Sequence, residues 1–210
     1  MKSPRPTNLD AALTLIEVCV VLVVIIGILA CIILPTLSKA GGGPRYDCRN
    51  NLNQVATALR LWADDNNGHS PMDFSTNQNG VSNRFQLGNV VEYFRAMSNE
   101  LSTPKILVCP STGAPIASNF TVLSNLNVTY FLGMDATESL PDLPVAGDAG
   151  FSTNGVLVPG GLALINSNSS LAWPSKIHNG KGYVIYADGS VVSEKGFRFK
   201  GTDAIRLAVP

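Results

Sequence analysis

Polar and apolar positions divide this chain into one long unbroken run and many short ones. From Leu13 to Leu34 the only charged residue is Glu17, and most of the rest are Val, Ile and Leu. A helix over this run is roughly 33 Å long, enough to cross a hydrocarbon core. Apolar residues then return at helical spacing as Leu52, Val55, Leu59 and Trp62. They predict an amphipathic helix whose stripe packs on a globular part. Between the two, Pro35 predicts a kink in the helix axis, and Gly41-Gly42-Gly43-Pro44 predicts a break or hinge.

Beyond Asp64 the pattern shortens. Val90, Phe94, Met97 and Leu101 keep helical spacing and predict a short helix over 88–100. Ile106–Cys109 and Val128–Leu132 read as strands, and the glycine-spaced apolar residues of 155–165 as one more. The stretch 133–151, with Pro141, Pro144 and Gly147-Asp148-Ala149-Gly150, reads as loop. Tyr183–Ala187 and Ser190–Ser193 are β-rich on either side of Asp188-Gly189, which predicts a hairpin with a two-residue type I′ turn.

Composition narrows the classes. The 210 residues have zero formal net charge and few charged residues, so there is no basic field to hold nucleic acid. Of the four cysteines, Cys19 and Cys31 lie in the apolar run, about 120° apart around a helix, and read as small apolar packing residues. Cys48 and Cys109 lie beyond it. In an oxidising compartment they are able to form a disulfide, but sequence alone leaves paired and unpaired states both open.

Glu17 gives the apolar run its chemistry. A carboxylate in a membrane segment costs about 2.5–3.5 kcal/mol on insertion scales, so it calls for a cation at the same depth. Leu13-Thr14-Leu15-Ile16-Glu17-Val18 resembles the processing and methylation site of type IV pilins and type II secretion pseudopilins. In that family a prepilin peptidase cuts before the first apolar residue, the new amine is N-methylated, and the glutamate five residues in pairs with the amine of a neighbouring subunit. The resemblance implies a cut between Ala12 and Leu13, N-methylation of Leu13, and Glu17 as the assembly charge. It departs from the usual pattern in having Ala12 where Gly is common and Leu13 where Phe is common. Met1–Ala12, with Lys2 and Arg5, then reads as a cytoplasmic leader. Lys39, Arg45 and Arg49 flank the other end of the span, so its orientation follows from the resemblance more than from the charges. A lipoprotein signal ending at Cys31 fits poorly, because the apolar run continues past it to Leu34.

A second resemblance covers the C-terminal part. His178, nine residues, then Asp188-Gly189 is similar to the H-x9-DG motif of a group of pilin-like proteins. Cys48-Arg49-Asn50-Asn51-Leu52, Trp62–Gly68, Leu107-Val108-Cys109-Pro110 and Ala146-Gly147-Asp148 fit the same group. On its own residues the motif reads as structural: His178 anchors a loop and Asp188 sets a turn. A strand of some 17 Å separates them, too far for direct contact. The sharper alternative is a metal site joining His178 to a carboxylate such as Asp148. Calcium would ask for oxygen ligands, while a histidine ligand suits zinc. Asp64–Gly68 looks like the start of a calcium loop, but position 12 would be Ser75, and a helix end with an Asn67-Gly68 turn is the plainer reading. His69 reads as a solvated loop residue. There is no nucleophile elbow, phosphate loop, HExxH or CxxC.

The sequence therefore predicts an α+β chain: a leader at 1–12, a transmembrane helix at 13–34, an amphipathic stem helix at 35–64, and a pilin-like ectodomain at 65–210 with an antiparallel sheet packed on the stem. The resemblance implies a non-enzymatic structural subunit of a pseudopilus or pilus acting in protein secretion, with no cofactor beyond a calcium or zinc ion. Its partners would be other copies and other pilin-like subunits, the prepilin peptidase and the inner-membrane assembly machinery. It would be anchored in the inner membrane, with its N-terminus cytoplasmic and its C-terminal domain periplasmic. The rival reading is a membrane-anchored binding module that does not polymerise and uses the hairpin and glycine-rich loops to recognise a carbohydrate or protein.

Overall fold

The computed structural model describes residues 15–38, 43–73, 89–137 and 139–210. The chain forms two compact units, 1–42 and 43–210. Ala12, Leu13 and the leader lie outside the described residues, as do Gly41, Gly42 and Ser75.

The first unit holds helix α1, Leu15–Ser38, whose only charged residue is Glu17 in its first turn. It runs through Pro35 and past the Leu34 limit predicted for the span. Its side chains from Leu15 to Leu29 are exposed. Leu15–Ile32 is long and apolar enough to cross a membrane. Cys19 and Cys31 are free and exposed on this helix.

The second unit opens with α2, Pro44–Asp65, so the stem helix of this unit begins at Pro44 and not at 35. Pro44 sits at the helix start, where its missing N–H costs nothing, after an extended Gly43. Leu52, Val55 and Leu59 are buried and Trp62 packs beside them. The helix ends as the plainer reading predicts. The Gly68 N–H donates to the Ala63 carbonyl at 2.7 Å, and Asn67 and Gly68 take left-handed φ of 57° and 80°. Helix α3, Val90–Ala96, is shorter than the predicted 88–100, with turns completing the segment to Leu101.

The sheet is antiparallel throughout. Its six strands run in the order β5-β9-β1-β2-β7-β8, with β1 Tyr130–Gly133, β2 Pro144–Asp148, β5 Gly161–Asn166, β7 Gly182–Tyr186, β8 Val191–Glu194 and β9 Ala204–Val209. A smaller sheet of order β4-β3-β6 comprises β3 Ser152–Thr153, β4 Val156–Leu157 and β6 Leu171–Ala172. Both faces of the main sheet are covered. Tyr130, Leu132, Tyr183 and Ile185 join the core under α2 and α3. Their neighbours Phe131, Val184 and Tyr186 join a second core on the opposite face. There Phe131, Phe151, Phe197 and Trp173 interlock with ring centroids 5.4–6.0 Å apart, Phe197 meeting all three of the others.

Three expectations need correction. Ile106–Cys109 is not a strand: Pro104–Leu107 is a 3-10 turn, with Pro104 at its start and the Thr103 side chain accepting from the Lys105 N–H. Residues 133–151 are not all loop, since β2 lies inside them and pairs with both β1 and β7. The hairpin turn is not a two-residue type I′. Gly189 N–H donates to the Tyr186 carbonyl at 2.9 Å and Tyr186 N–H to the Ser190 carbonyl at 3.0 Å. The loop is therefore Ala187-Asp188-Gly189, and of its residues only Gly189 has positive φ, at 86°. This is the three-residue form, a type I turn closed by a left-handed glycine.

Candidate functional site

The polar chemistry of the second unit gathers at one end of β2 and β7. Asp148 closes β2 and is 2% exposed; His178, in the loop before β7, is 6% exposed. They are the only buried polar or charged residues among those described. Three segments converge to make this so. The turn Ile177–Lys181 curls back on itself, with the Gly180 N–H donating to the Ile177 carbonyl at 2.8 Å. His178, Asn179 and Gly180 all take positive φ there. That curl turns the imidazole inward, edge-on to the Tyr183 ring with centroids 5.1 Å apart.

Asp148 is held from two sides. Its Oδ2 accepts from the Tyr183 N–H at 2.8 Å, and its carbonyl accepts from the Trp173 indole N–H at 2.9 Å. Gly182 permits this: a Cβ there would collide with the Trp173 ring. His178 Nε2 then lies 3.4 Å from Asp148 Oδ2. A buried carboxylate needs such partners, because an unpaired charge in a dry site is costly.

The third segment carries sulfur. Cys48 from α2 and Cys109 form a disulfide with an S–S distance of 2.08 Å and Cα atoms 4.6 Å apart. His178 Nε2 also lies 3.4 Å from Cys109 Sγ. The bridge is wrapped in hydrogen bonds. Cys109 N–H donates to the Thr129 hydroxyl at 2.7 Å, and the Tyr130 hydroxyl donates to the Cys48 carbonyl at 3.3 Å. Asn51, one turn along α2, donates to the Val108 carbonyl at 2.9 Å. Burial first, and the Asp148 charge second, push the Tyr130 phenol well above its ordinary range, so it stays a neutral donor. His178 and Asp148 are thus brought together, as the sharper sequence reading supposes, and the disulfide pair stands beside them. Trp173, Tyr183 and Tyr130, which hold the cluster in place, carry no motif of their own; Trp173 five residues before His178 is the nearest thing to a signal.

Asp188 and Gly189 are elsewhere, at the far end of β7. Asp188 Oδ1 accepts from the Ser190 N–H at 2.8 Å. Hydrogen bonds from Ser190, side chain before backbone, hold its carboxyl below the usual range, and the Arg60 guanidinium adds to this. Gly189 lies against that same guanidinium, on α2. The motif therefore ties two ends of one strand to two points on one helix, Cys48 and Arg60. Asp64, exposed near the C-terminus of α2, and His69, exposed just beyond it, stay apart from the buried cluster.

A cleft of about 550 Å³ opens between the second half of α2 and the adjoining ends of β1, β2 and β7. Among the described residues its lining holds Arg60, Asp64 and the hydroxyl-bearing Ser70, Thr137, Ser139 and Tyr186 beside small and apolar residues. No protein family, no curated protein and no solved structure matches the chain.

Proposed function

We propose that this chain is a structural subunit of a pilin-like filament, a pseudopilus or pilus acting in protein secretion, anchored in the inner membrane with the second unit on the periplasmic side. The observation that carries the reading is Glu17, the one charged residue in the sequence of helix α1, near the start of a stretch whose side chains are exposed from Leu15 to Leu29. A carboxylate in a membrane span is costly, and a cation at the same depth on a neighbouring copy offsets that cost. A prepilin peptidase cutting between Ala12 and Leu13 would supply that cation as the methylated Leu13 amine. The second unit adds support of a coarser kind: an amphipathic helix laid on an antiparallel sheet and pinned by one disulfide, the chemistry of an oxidising compartment.

Mass spectrometry of the native protein tests the first step, with Leu13 expected as the methylated first residue; Met1 still attached would sink the reading. Glu17→Ala tests the second. It should still insert in the membrane, at least as readily as the parent, but should no longer co-purify or cross-link with other copies. The rival binding module draws on the exposed Val156, Leu157, Leu162 and Leu164 of β4 and β5; it predicts that Glu17→Ala changes nothing.

A further inference from the structure

The buried cluster has more ligand chemistry than a disulfide uses. Cys48 Sγ, Cys109 Sγ and a His178 ring nitrogen lie within 4.8 Å of one another, all buried. Asp148 Oδ2 adds a carboxylate oxygen 3.4 Å from Nε2. We propose that the disulfide is one of two alternative closures of this cluster, and that in the dithiol state the four side chains hold a zinc ion.

Geometry supports the assignment at the two edges that His178 Nε2 makes with Cys109 and Asp148. With zinc bonds of about 2.3 Å to sulfur and 2.0–2.1 Å to nitrogen and oxygen, a tetrahedral site has S···N edges of roughly 3.6 Å and N···O edges of roughly 3.3 Å. The folded chain already has Cys109 Sγ and Asp148 Oδ2 each 3.4 Å from His178 Nε2. The S···S edge must open from 2.08 Å to roughly 3.8 Å once the covalent bond is gone, and Cys48 Sγ already lies within 4.8 Å of a ring nitrogen of His178. Two thiolates, an imidazole and a carboxylate are a donor set that selects zinc over calcium or magnesium. The backbone supports are those a metal site needs: the Tyr183 N–H orients the carboxylate and the curled Ile177–Lys181 turn fixes the ring.

The steps balance. A dithiol reductant gives two electrons and two protons to the Cys48–Cys109 bond and becomes a disulfide itself. Zinc then displaces the two thiol protons to water, and His178 presents the Nε2 lone pair with its ring proton on Nδ1. Both sulfurs are fully buried, so reduction requires a local opening. The short turn Pro110–Thr112 is the cover that would lift, for Pro110 is exposed and the Ser111 hydroxyl sits 3.6 Å from Cys48 Sγ. Loading before the bridge closes needs no opening. The bridge ties α2 to the Cys109 segment, and the metal would tie both of them to Asp148 and the loop before β7, holding the core in the state where the bridge cannot.

The test uses the full chain in detergent, with Cys19→Ser and Cys31→Ser to remove the membrane thiols. After reduction by a phosphine without oxygen, dialysis against zinc should leave a single ion per chain, and the unreduced protein should keep none. Cobalt in its place should give a thiolate-to-metal charge-transfer band and strong tetrahedral visible bands. Asp148→Asn removes a charged ligand and should weaken zinc binding by at least the roughly tenfold that loss of a mere orienting partner brings, and His178→Ala by more. A reduced chain that keeps its near-ultraviolet circular dichroism yet takes up no zinc would overturn the proposal. So would cobalt binding without the thiolate band, or a reduced chain that unfolds and is not refolded by zinc.

Discussion

His178 and Asp188 bracket the same strand and live under opposite conditions. The imidazole is sealed beside a disulfide and a carboxylate, while the Asp188 side chain stands in water. Every contact of the buried end is made in a dry, low-dielectric place where an unmade bond is expensive. Those of the exposed end compete with solvent and are worth little singly. Yet both ends meet α2, one through the Cys48–Cys109 bridge and the other through Arg60. A spacing of nine residues is what a five-residue strand and its two turns require to reach both points. The motif is better understood as a fastening at both ends of a strand than as a pair of residues that act on each other.

That difference is testable by taking the fastenings apart. Replacing Cys48 and Cys109 by Ala should have the largest effect, a loss of about 2–5 kcal/mol in chemical denaturation of the second unit. His178→Ala comes next. It leaves the buried Asp148 carboxylate with the Tyr183 N–H but without its imidazole, and should cost about 1–3 kcal/mol. If His178→Ala proves as mild as a surface change, the buried end is not the stronger fastening and the comparison fails.

The contrast also explains what the sequence could and could not reveal. The membrane-length helix, the α2 stripe and the hairpin were legible because each has a period or a punctuation that local physics reads directly: an unbroken run, Leu52-Val55-Leu59, Asp188-Gly189. The strand β2 was not. It starts at Pro144 and contains Gly147, both strand-poor residues, and it is a strand because β1 and β7 lie on either side of it. The 3-10 turn at Pro104–Leu107 misled for the opposite reason, since its Ile-Leu-Val run looks like a strand while Thr103 and Pro104 start a turn. The strand β9 is six residues long and its inward residues are spread between two cores, so the Gly201-Thr202-Asp203 bend before it does not reveal it alone. At the candidate site the residue types were visible, but their meeting was not. Asp148, Cys109 and His178 come from three separate segments, and only long-range pairing puts them together. Even the hairpin turn was readable only to its class, because a two-residue and a three-residue loop share the Asp-Gly signature.

The exposed end should respond more weakly, and first through the glycine. Gly189 holds a φ of 86°, and a Cβ there would meet the Arg60 guanidinium. The guanidinium is the tip of a long exposed side chain and can swing away, so the backbone decides. Gly189→Ala should cost about 1–2 kcal/mol by thermal or chemical unfolding, the ordinary penalty of a left-handed non-glycine residue. A larger loss would mean that the Arg60 contact holds the hairpin tip as firmly as the disulfide holds its root.

Asp188 should matter least, and its effect should depend on pH in a predictable direction. Its carboxyl titrates below the ordinary value of 3.8 in the folded chain, chiefly through the Ser190 hydrogen bonds. A group held below its unfolded value adds stability above that value and loses it as pH falls through the folded one. Asp188→Asn keeps an acceptor for the Ser190 N–H but drops the charge facing Arg60. The variant should therefore be slightly less stable than the parent at neutral pH, and the gap should close as the solution is acidified below pH 3.8. Paired denaturation curves at neutral and acid pH measure both terms at once. A gap that stays constant across that range would show that the carboxylate acts through the shape of the turn alone, and that even the solvated end of the strand is fastened by geometry and not by charge.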